Sequence, residues 1–306
     1  MPFRWASLWT KSVLLNRSAG IGDVLCTEPI ARKLYNKGFY VYIQTYCGEV
    51  YVYHHDIIKM IKKQSCFFRW KRKLIRINLN GAYERRPLIP IVDAYAEEVR
   101  NSIPDFTLTS EEKCPIYDKN IRYTGNKSHI QKICINNEGT WESRTYPHMK
   151  DLAMYLKQSG YDIAEIGRDP AHYLGIGTNY YGRLALHDTV RLMSECDLYI
   201  GMDGGLMHFA QSIHMPCFII FGCTCPNFRI HDWSITKVMW KNTDVLSCAG
   251  CHHRRSAPRE FTECDRDNLY CLDWPPEMVL RVLQEQPFGN KPVLHKEIYQ
   301  VYPEKN

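Results

Sequence analysis

No stretch of this 306-residue sequence reaches the roughly 18 uninterrupted apolar residues that a membrane-crossing helix needs. Its first residues, MPFRWASLWTKSVLL, hold only a short apolar run and no small-residue cleavage site, which argues against a secretory signal peptide. Internal repeats and low-complexity tracts are missing too, which excludes solenoids and repeat arrays. We therefore expect a soluble protein kept in the cytoplasm. Nor is there a surplus of acid: the formal net charge is +6. That charge is uneven, because Phe67–Arg76 (FFRWKRKLIR) sets five cations among aromatic and aliphatic residues. Arg69, Lys71, Arg72 and Lys73 form its centre. Two readings stand for this patch: a surface for a polyanionic acceptor, or a solvated face whose aromatics belong to the core.

Cysteine, by contrast, is plentiful, with 13 residues spread along the chain. In a long chain without an export signal, reduced thiols and metal ligation are better readings than disulfides. Cys248 and Cys251 form a C-x2-C knuckle, and Cys264 and Cys271 follow in a loop-rich stretch. The residues between them are mostly polar and ill suited to burying four free thiols. Four thiolates in so short a segment match a tetrahedral structural zinc or iron site, and reduced thiols in a loop are the alternative. A closed four-cysteine site would fold the loop and leave no position for substrate. Cys223 and Cys225 read equally as packed thiols or as extra ligands.

Apolar periodicity predicts an α/β protein. Lys11–Arg17 reads as a strand, Ser18–Asp23 as a glycine turn and Val24–Leu34 as a helix. Strands at Tyr40–Tyr46 and Leu74–Leu79 and a helix at Ile91–Ile103 continue the alternation that parallel sheets require. Residues 105–130 lose that periodicity and read as a linker. A second series follows, with strands at Ile130–Ile135, Tyr161–Ile166, Leu198–Met202 and Cys217–Phe221. Helices at Tyr146–Gln158, His187–Glu195 and Leu206–His214 lie between them. The expected domains are 1–127 and 128–285, the second carrying the cysteine-rich loop 246–272, with a polar tail at 286–306. Both are expected to be Rossmann-like, doubly wound, and to face a central cleft.

In Leu198–Pro226 an apolar strand runs straight into Asp203-Gly204-Gly205 and a helix beginning at Leu206. Ligands of open α/β sheets bind at such strand ends. Glycine permits close approach of the backbone, and the free N–H groups of a first helical turn suit a diphosphate. Asp203 would be repelled by that diphosphate, so its carboxylate is assigned to sugar hydroxyls. A Gly-Gly pair alone is equally an ordinary strand-to-helix turn.

Asp197–Ala210 (DLYIGMDGGLMHFA), followed by Pro216 and Phe221-Gly222, resembles the signature of glycosyltransferase family 9, the heptosyltransferases of GT-B fold. Gly20–Pro29 (GIGDVLCTEP) is similar to that family's amino-terminal acceptor loop, and Val92–Tyr95 to a helix between the two. The resemblance implies an inverting transferase with a nucleotide-diphosphate-sugar donor, ADP-heptose-like, and no catalytic divalent ion. It places Gly20 and Gly22 at the acceptor and makes Asp23 the base that removes the acceptor hydroxyl's proton. Otherwise Asp23 simply caps the helix that follows. The family's phosphate-binding lysine falls near Arg144, whose planar fork suits phosphate oxygens; a solvated surface arginine is the other reading. His208 either approaches the phosphates or packs. Some relatives that modify proteins hold iron in a cysteine finger. For the acceptor, the resemblance implies a phosphorylated glycolipid core. The basic patch also fits DNA bearing a hydroxylated base turned out of the stack. A non-catalytic protein binding nucleotide sugars or nucleic acid is a further possibility, against which Asp23 in the glycine loop argues.

Overall fold

The computed structural model describes residues 11–18, 20–54, 58–61, 74–126, 129–139, 141–253, 264 and 268–285. The chain divides into two units, Met1–Lys119 and Asn120–Asn306. The basic residues Arg69, Lys71, Arg72 and Lys73 and the tail 286–306 lie outside the described residues.

The first unit is built on four parallel strands, β1 (Ser12–Asn16), β2 (Tyr40–Gln44), β3 (Ile58–Ile61) and β4 (Leu74–Asn78), in the order β3-β2-β1-β4. β1 is central and pairs with both β2 and β4, which explains its nearly continuous apolar run SVLLN. The expected helix at Val24–Leu34 is in fact two: α1 (Ile21–Leu25) and α2 (Glu28–Asn36). Pro29 sits at the start of α2, where its missing N–H is no loss, whereas inside one long helix it would break the ladder. After the short α3 (Ala82–Arg85), α4 (Ile91–Arg100) buries Val92, Tyr95 and Val99 and ends three residues before Ile103. Pro104 follows, and a residue before proline is steered away from helical geometry. Buried Glu28 fastens the end of the unit, accepting from Arg32 Nε at 2.8 Å and from the Ile116 N–H at 3.0 Å.

Six parallel strands form the second sheet: β5 (Lys132–Ile135), β6 (Asp162–Glu165), β7 (Thr178–Asn179), β8 (Leu198–Met202), β9 (Cys217–Ile220) and β10 (Thr236–Met239). Their order is β10-β9-β8-β5-β6-β7, so the chain winds outward from β5 in one direction and from β8 in the other. The helices are α5 (Met149–Gln158), α6 (Leu186–Ser194), α7 (Gly205–Ser212) and α8 (Pro276–Glu285). Leu152 and Leu156 of α5 and Val279 and Val282 of α8 share one core with Ile133, Ile200 and Phe218 of the sheet. The expected series stopped at β9, so β10 and α8 are additions, as are β3 and β7.

Asp197 locks the start of β8 to the segment before β5. Its carboxylate accepts three backbone N–H groups, from Asn126 at 2.6 Å and from Gln131 and Lys132 at 2.8 Å. Burial acts to raise its pKa, but the N–H groups of Lys132, Asn126 and Gln131 outweigh that and hold it below the usual carboxylate value. A lowered folded pKa means stability that is present above the unfolded value of about 3.9 and is lost as pH falls below it. Asp197→Ala is expected to cost about 1–3 kcal/mol at pH 7. Melting curves should show this gap closing below about pH 4.

Candidate functional site

In each sheet the strand order reverses between two neighbouring strands, β1 and β4 in the first and β5 and β8 in the second. Open α/β sheets hold ligands beyond the carboxyl ends of strands at such a reversal. At the first reversal, Arg17 leaves the end of β1 buried, and Tyr83 and Glu84 of α3 follow β4. Gly20 has φ 83°, and a Cβ there would lie 2.5 Å from Asp23 Oδ2, so glycine is required for Asp23 to fold back over the turn. Gly22 is buried in α1.

Asp23 does not cap the helix. Gly20 occupies the N-cap, and α1 begins at Ile21, two residues before Asp23. The carboxylate accepts instead from Arg17 Nη2 at 2.6 Å and from the Tyr83 hydroxyl at 3.4 Å. Both contacts fall on Oδ2 and orient the group, whose side chain keeps 23% exposure. Arg17 is held in turn by Glu84 at 3.6 Å and by the face of Tyr83, 5.2 Å from the ring centroid. A partly exposed carboxylate with a fixed plane is suited to taking a proton from a hydroxyl.

At the second reversal, fully buried β8 delivers Asp203, which is 4% exposed. Gly204 is extended and α7 begins at Gly205, one residue earlier than expected, with Leu206 in its first turn. The loop after β5 reaches the same place. A Cβ on Gly222 would lie 2.3 Å from the Ser143 carbonyl oxygen, so the bare glycine at the end of β9 lets this loop settle against it. Arg144 is thereby carried to 3.7 Å from Asp203 Oδ2 through Nη2. Its side chain is 14% exposed and stacks 4.7 Å from the centroid of Trp141, which removes the solvated-surface reading.

A residue the sequence did not point to completes the group. Arg229, after the turn Pro226–Phe228, places Nε 3.8 Å from Asp203 Oδ2 and is buried. No motif surrounds it, so only the fold reveals it. Burial alone would raise the pKa of Asp203, but Arg144 and Arg229 outweigh that and hold it far below the carboxylate range. The carboxylate assigned to sugar hydroxyls is thus enclosed with two guanidinium groups. His208 is buried and pairs Nδ1 with His231 Nε2 at 2.8 Å. Burial, followed by the charges of His208 and Arg229, pushes His231 well below its ordinary value.

Cys248, Cys251, Cys264 and Cys271 line one pocket, joined there by Cys223. All five thiols are free of disulfides. Burial first, then Cys223, Cys251, Cys264 and Cys248, pushes the Cys271 thiol up to about 12. Thiol donors of this kind suit a thiophilic cation such as zinc or iron, but among the described residues no three of these sulfurs lie within 4.8 Å of one another. The pocket abuts the arginine cluster. His252 donates its backbone N–H to the Cys223 carbonyl at 3.1 Å, and its ring lies 6.2 Å from that of Trp141. His253 meets Phe228, the neighbour of Arg229, at 4.9 Å. Burial, followed by Arg144 and Arg229, pushes His252 down to about 3.

Comparison with known proteins gives three findings. The model of the family described as glycosyltransferase family 9 (heptosyltransferase) matches residues 57–257. The autotransporter heptosyltransferase TibC of Escherichia coli O78:H11 is 26% identical over 160 residues, a match covering 44% of this chain and 38% of TibC's own length. Among solved structures, dodecameric iron-containing TibC in complex with ADP-D-beta-D-heptose superposes with TM-score 0.70 at 15% identity, over 90% of this chain and 76% of that one. A family 9 glycosyltransferase from Veillonella parvula gives TM-score 0.66 at 16% identity, over 90% of this chain and 96% of that one. No helix among the described residues is long and apolar enough to cross a membrane.

Proposed function

Because this chain belongs to glycosyltransferase family 9 and has the α/β GT-B fold of the heptosyltransferases, we propose that it transfers a sugar, with inversion, from an ADP-heptose-like donor to an acceptor hydroxyl. The observation that carries this is the position of Asp23 and Arg144, each at the strand-order reversal of its own sheet. Asp23 takes the proton from the acceptor hydroxyl as its oxygen attacks the anomeric carbon. Arg17 and Tyr83 keep the carboxylate oriented. On the leaving side, Arg144, Gly204, Gly205 and Leu206 at the start of α7 receive the negative charge of the diphosphate. A base already oriented by a buried arginine favours an enzyme over a protein that only binds.

For the acceptor, similarity to an autotransporter heptosyltransferase favours a hydroxyl on a polypeptide. The phosphorylated glycolipid core is the second reading, supported by the family as a whole. A DNA acceptor draws no support from the relatives above. The cysteine pocket is assigned a structural metal: Cys248, Cys251, Cys264 and Cys271 are its ligands, and iron is favoured because TibC is iron-containing. The four thiolates would hold such an ion, and the cross-link it would supply between them would keep the loop closed.

The primary test is thermal. ADP at about 100 times its dissociation constant should stabilise the protein by about 2.7 kcal/mol, whereas GDP, UDP and CMP should leave the melting temperature unmoved. A shift with another nucleotide alone would remove the ADP donor. Transfer from ADP-heptose to polypeptide, glycolipid and hydroxylated DNA then separates the acceptors. For the metal, Cys248→Ser with Cys251→Ser is expected to abolish stoichiometric iron or zinc and to lower the melting temperature, because metal binding free energy adds to folding free energy. Elemental analysis and melting of the two proteins decide it; a metal-free wild type with unchanged melting in the variant would end the assignment.

A further inference from the structure

We propose that Tyr46 binds the acceptor, its ring covering the residue next to the hydroxyl that Asp23 deprotonates. This role rests on the polypeptide acceptor read above and goes beyond it by naming a side chain that holds that polypeptide. Tyr46 follows the carboxyl end of β2, the neighbour of β1, whose own end leads to Arg17 and the turn carrying Asp23. The Arg17 N–H donates to the Gln44 carbonyl at 3.1 Å, and the Tyr46 N–H donates to the Ser18 carbonyl at 2.9 Å. The two segments therefore stay joined past the sheet, as far as the glycine turn. Burial, then the charge of Glu49, pushes the Cys47 thiol above its usual pKa, and Thr45, the Gly20 backbone and Asp23 act on it as well. Residues 45–47 thus form one rim of the place where Asp23 stands.

The backbone on both sides of the ring is fixed. Buried Thr45 donates its hydroxyl to the same Ser18 carbonyl at 3.3 Å and accepts the Cys47 N–H at 3.1 Å. Gly48 begins a short turn that buries Val50 and Tyr51. Tyr46 itself is 83% exposed, the most of any large hydrophobic residue among those described. One exposed apolar side chain is ordinary, and Tyr40 at the amino end of the same strand is another. Tyr46 differs in standing at the strand end that carries the base. On the other side of β1, Tyr83 of α3 follows β4 and meets Asp23 Oδ2 at 3.4 Å. The end of β1 thus has a tyrosine on each flank. Tyrosine offers a large contact face with few rotatable bonds, so little entropy is lost when a partner covers it. The ring face is the negative side of its quadrupole, and it favours apolar and cationic groups over phosphate. That chemistry suits a peptide better than a phosphorylated glycolipid.

The experiment incubates wild type with ADP-heptose and a pool of serine-containing peptides randomised at the flanking positions. The peptide glycosylated best is then the probe for Tyr46→Ala and Tyr46→Phe. Both variants should fold, since substitutions at so exposed a position change stability little. In Tyr46→Ala the KM for the peptide should rise about 10-fold, with kcat at saturating peptide and ADP affinity each within about 3-fold of wild type. Tyr46→Phe keeps the ring face and should stay within about 3-fold in KM. An unchanged KM in Tyr46→Ala, or an equal loss of ADP affinity, overturns the role of Tyr46 and leaves the acceptor reading standing. If wild type glycosylates no peptide of the pool, the polypeptide acceptor and the role of Tyr46 fall together.

Discussion

Asp23→Asn is expected to fold, to bind nucleotide as wild type does, and to transfer sugar about a thousandfold more slowly, within the range that general-base catalysis contributes. Asparagine keeps the shape of the side chain and can still accept the hydrogen bond from Arg17, so the cluster at the end of β1 should survive. Arg17 also retains Glu84 at 3.6 Å and the face of Tyr83. What is lost is the ability to take a proton. The measurement is turnover with saturating donor, set beside the melting temperature and nucleotide affinity of the same preparation. Turnover within tenfold of wild type would remove Asp23 from the base role and return it to partnering Arg17. A parallel loss of stability and nucleotide binding would mean that its part is architectural.

The second large effect is expected in stability. Asp203→Asn takes away the negative charge that Arg144 and Arg229 share, at a position only 4% exposed. Breaking a buried ion pair by removing one partner costs about 3–5 kcal/mol, because the remaining charge is left uncompensated. Here two cations lose the carboxylate they share. For a unit of this size the melting temperature should fall by roughly 6–20 °C. Saturating ADP or pyrophosphate should recover part of that fall, since a bound anion supplies the missing charge. Melting within about 2 °C of wild type would show that the carboxylate is not needed to hold Arg144 and Arg229 in place.

Much of the framework was legible from periodicity. β8 is seen where its apolar run predicts it, at Leu198–Met202, because a strand buried on both faces writes itself as unbroken hydrophobicity. Its neighbour β9 was legible for the same reason. β7, two residues long, and β10, four residues in a largely polar stretch, carry too few side chains to show a period. The single helix expected after the glycine turn failed for a local reason, as Pro29 ends one ladder and opens another. At the site, glycine-rich turns made Gly20, Asp23, Asp203 and Gly204 visible. Arg17, Tyr83 and Arg229 were not, since each reaches its carboxylate from another element.

The alternation of strands and helices, the strand-to-glycine turns that carry Asp23 and Asp203, and the sulfur-rich segment could be read along the chain, because each is written in neighbouring residues. What surrounds those carboxylates emerged from the fold. It paired Asp23 with Arg17, enclosed Asp203 with Arg144 and Arg229, and added Cys223 to the sulfur pocket. The physical reason is that parallel strands pair across crossovers tens of residues long. The order in which they join sets which loops meet, and so which distant guanidinium groups come to stand beside a buried carboxylate.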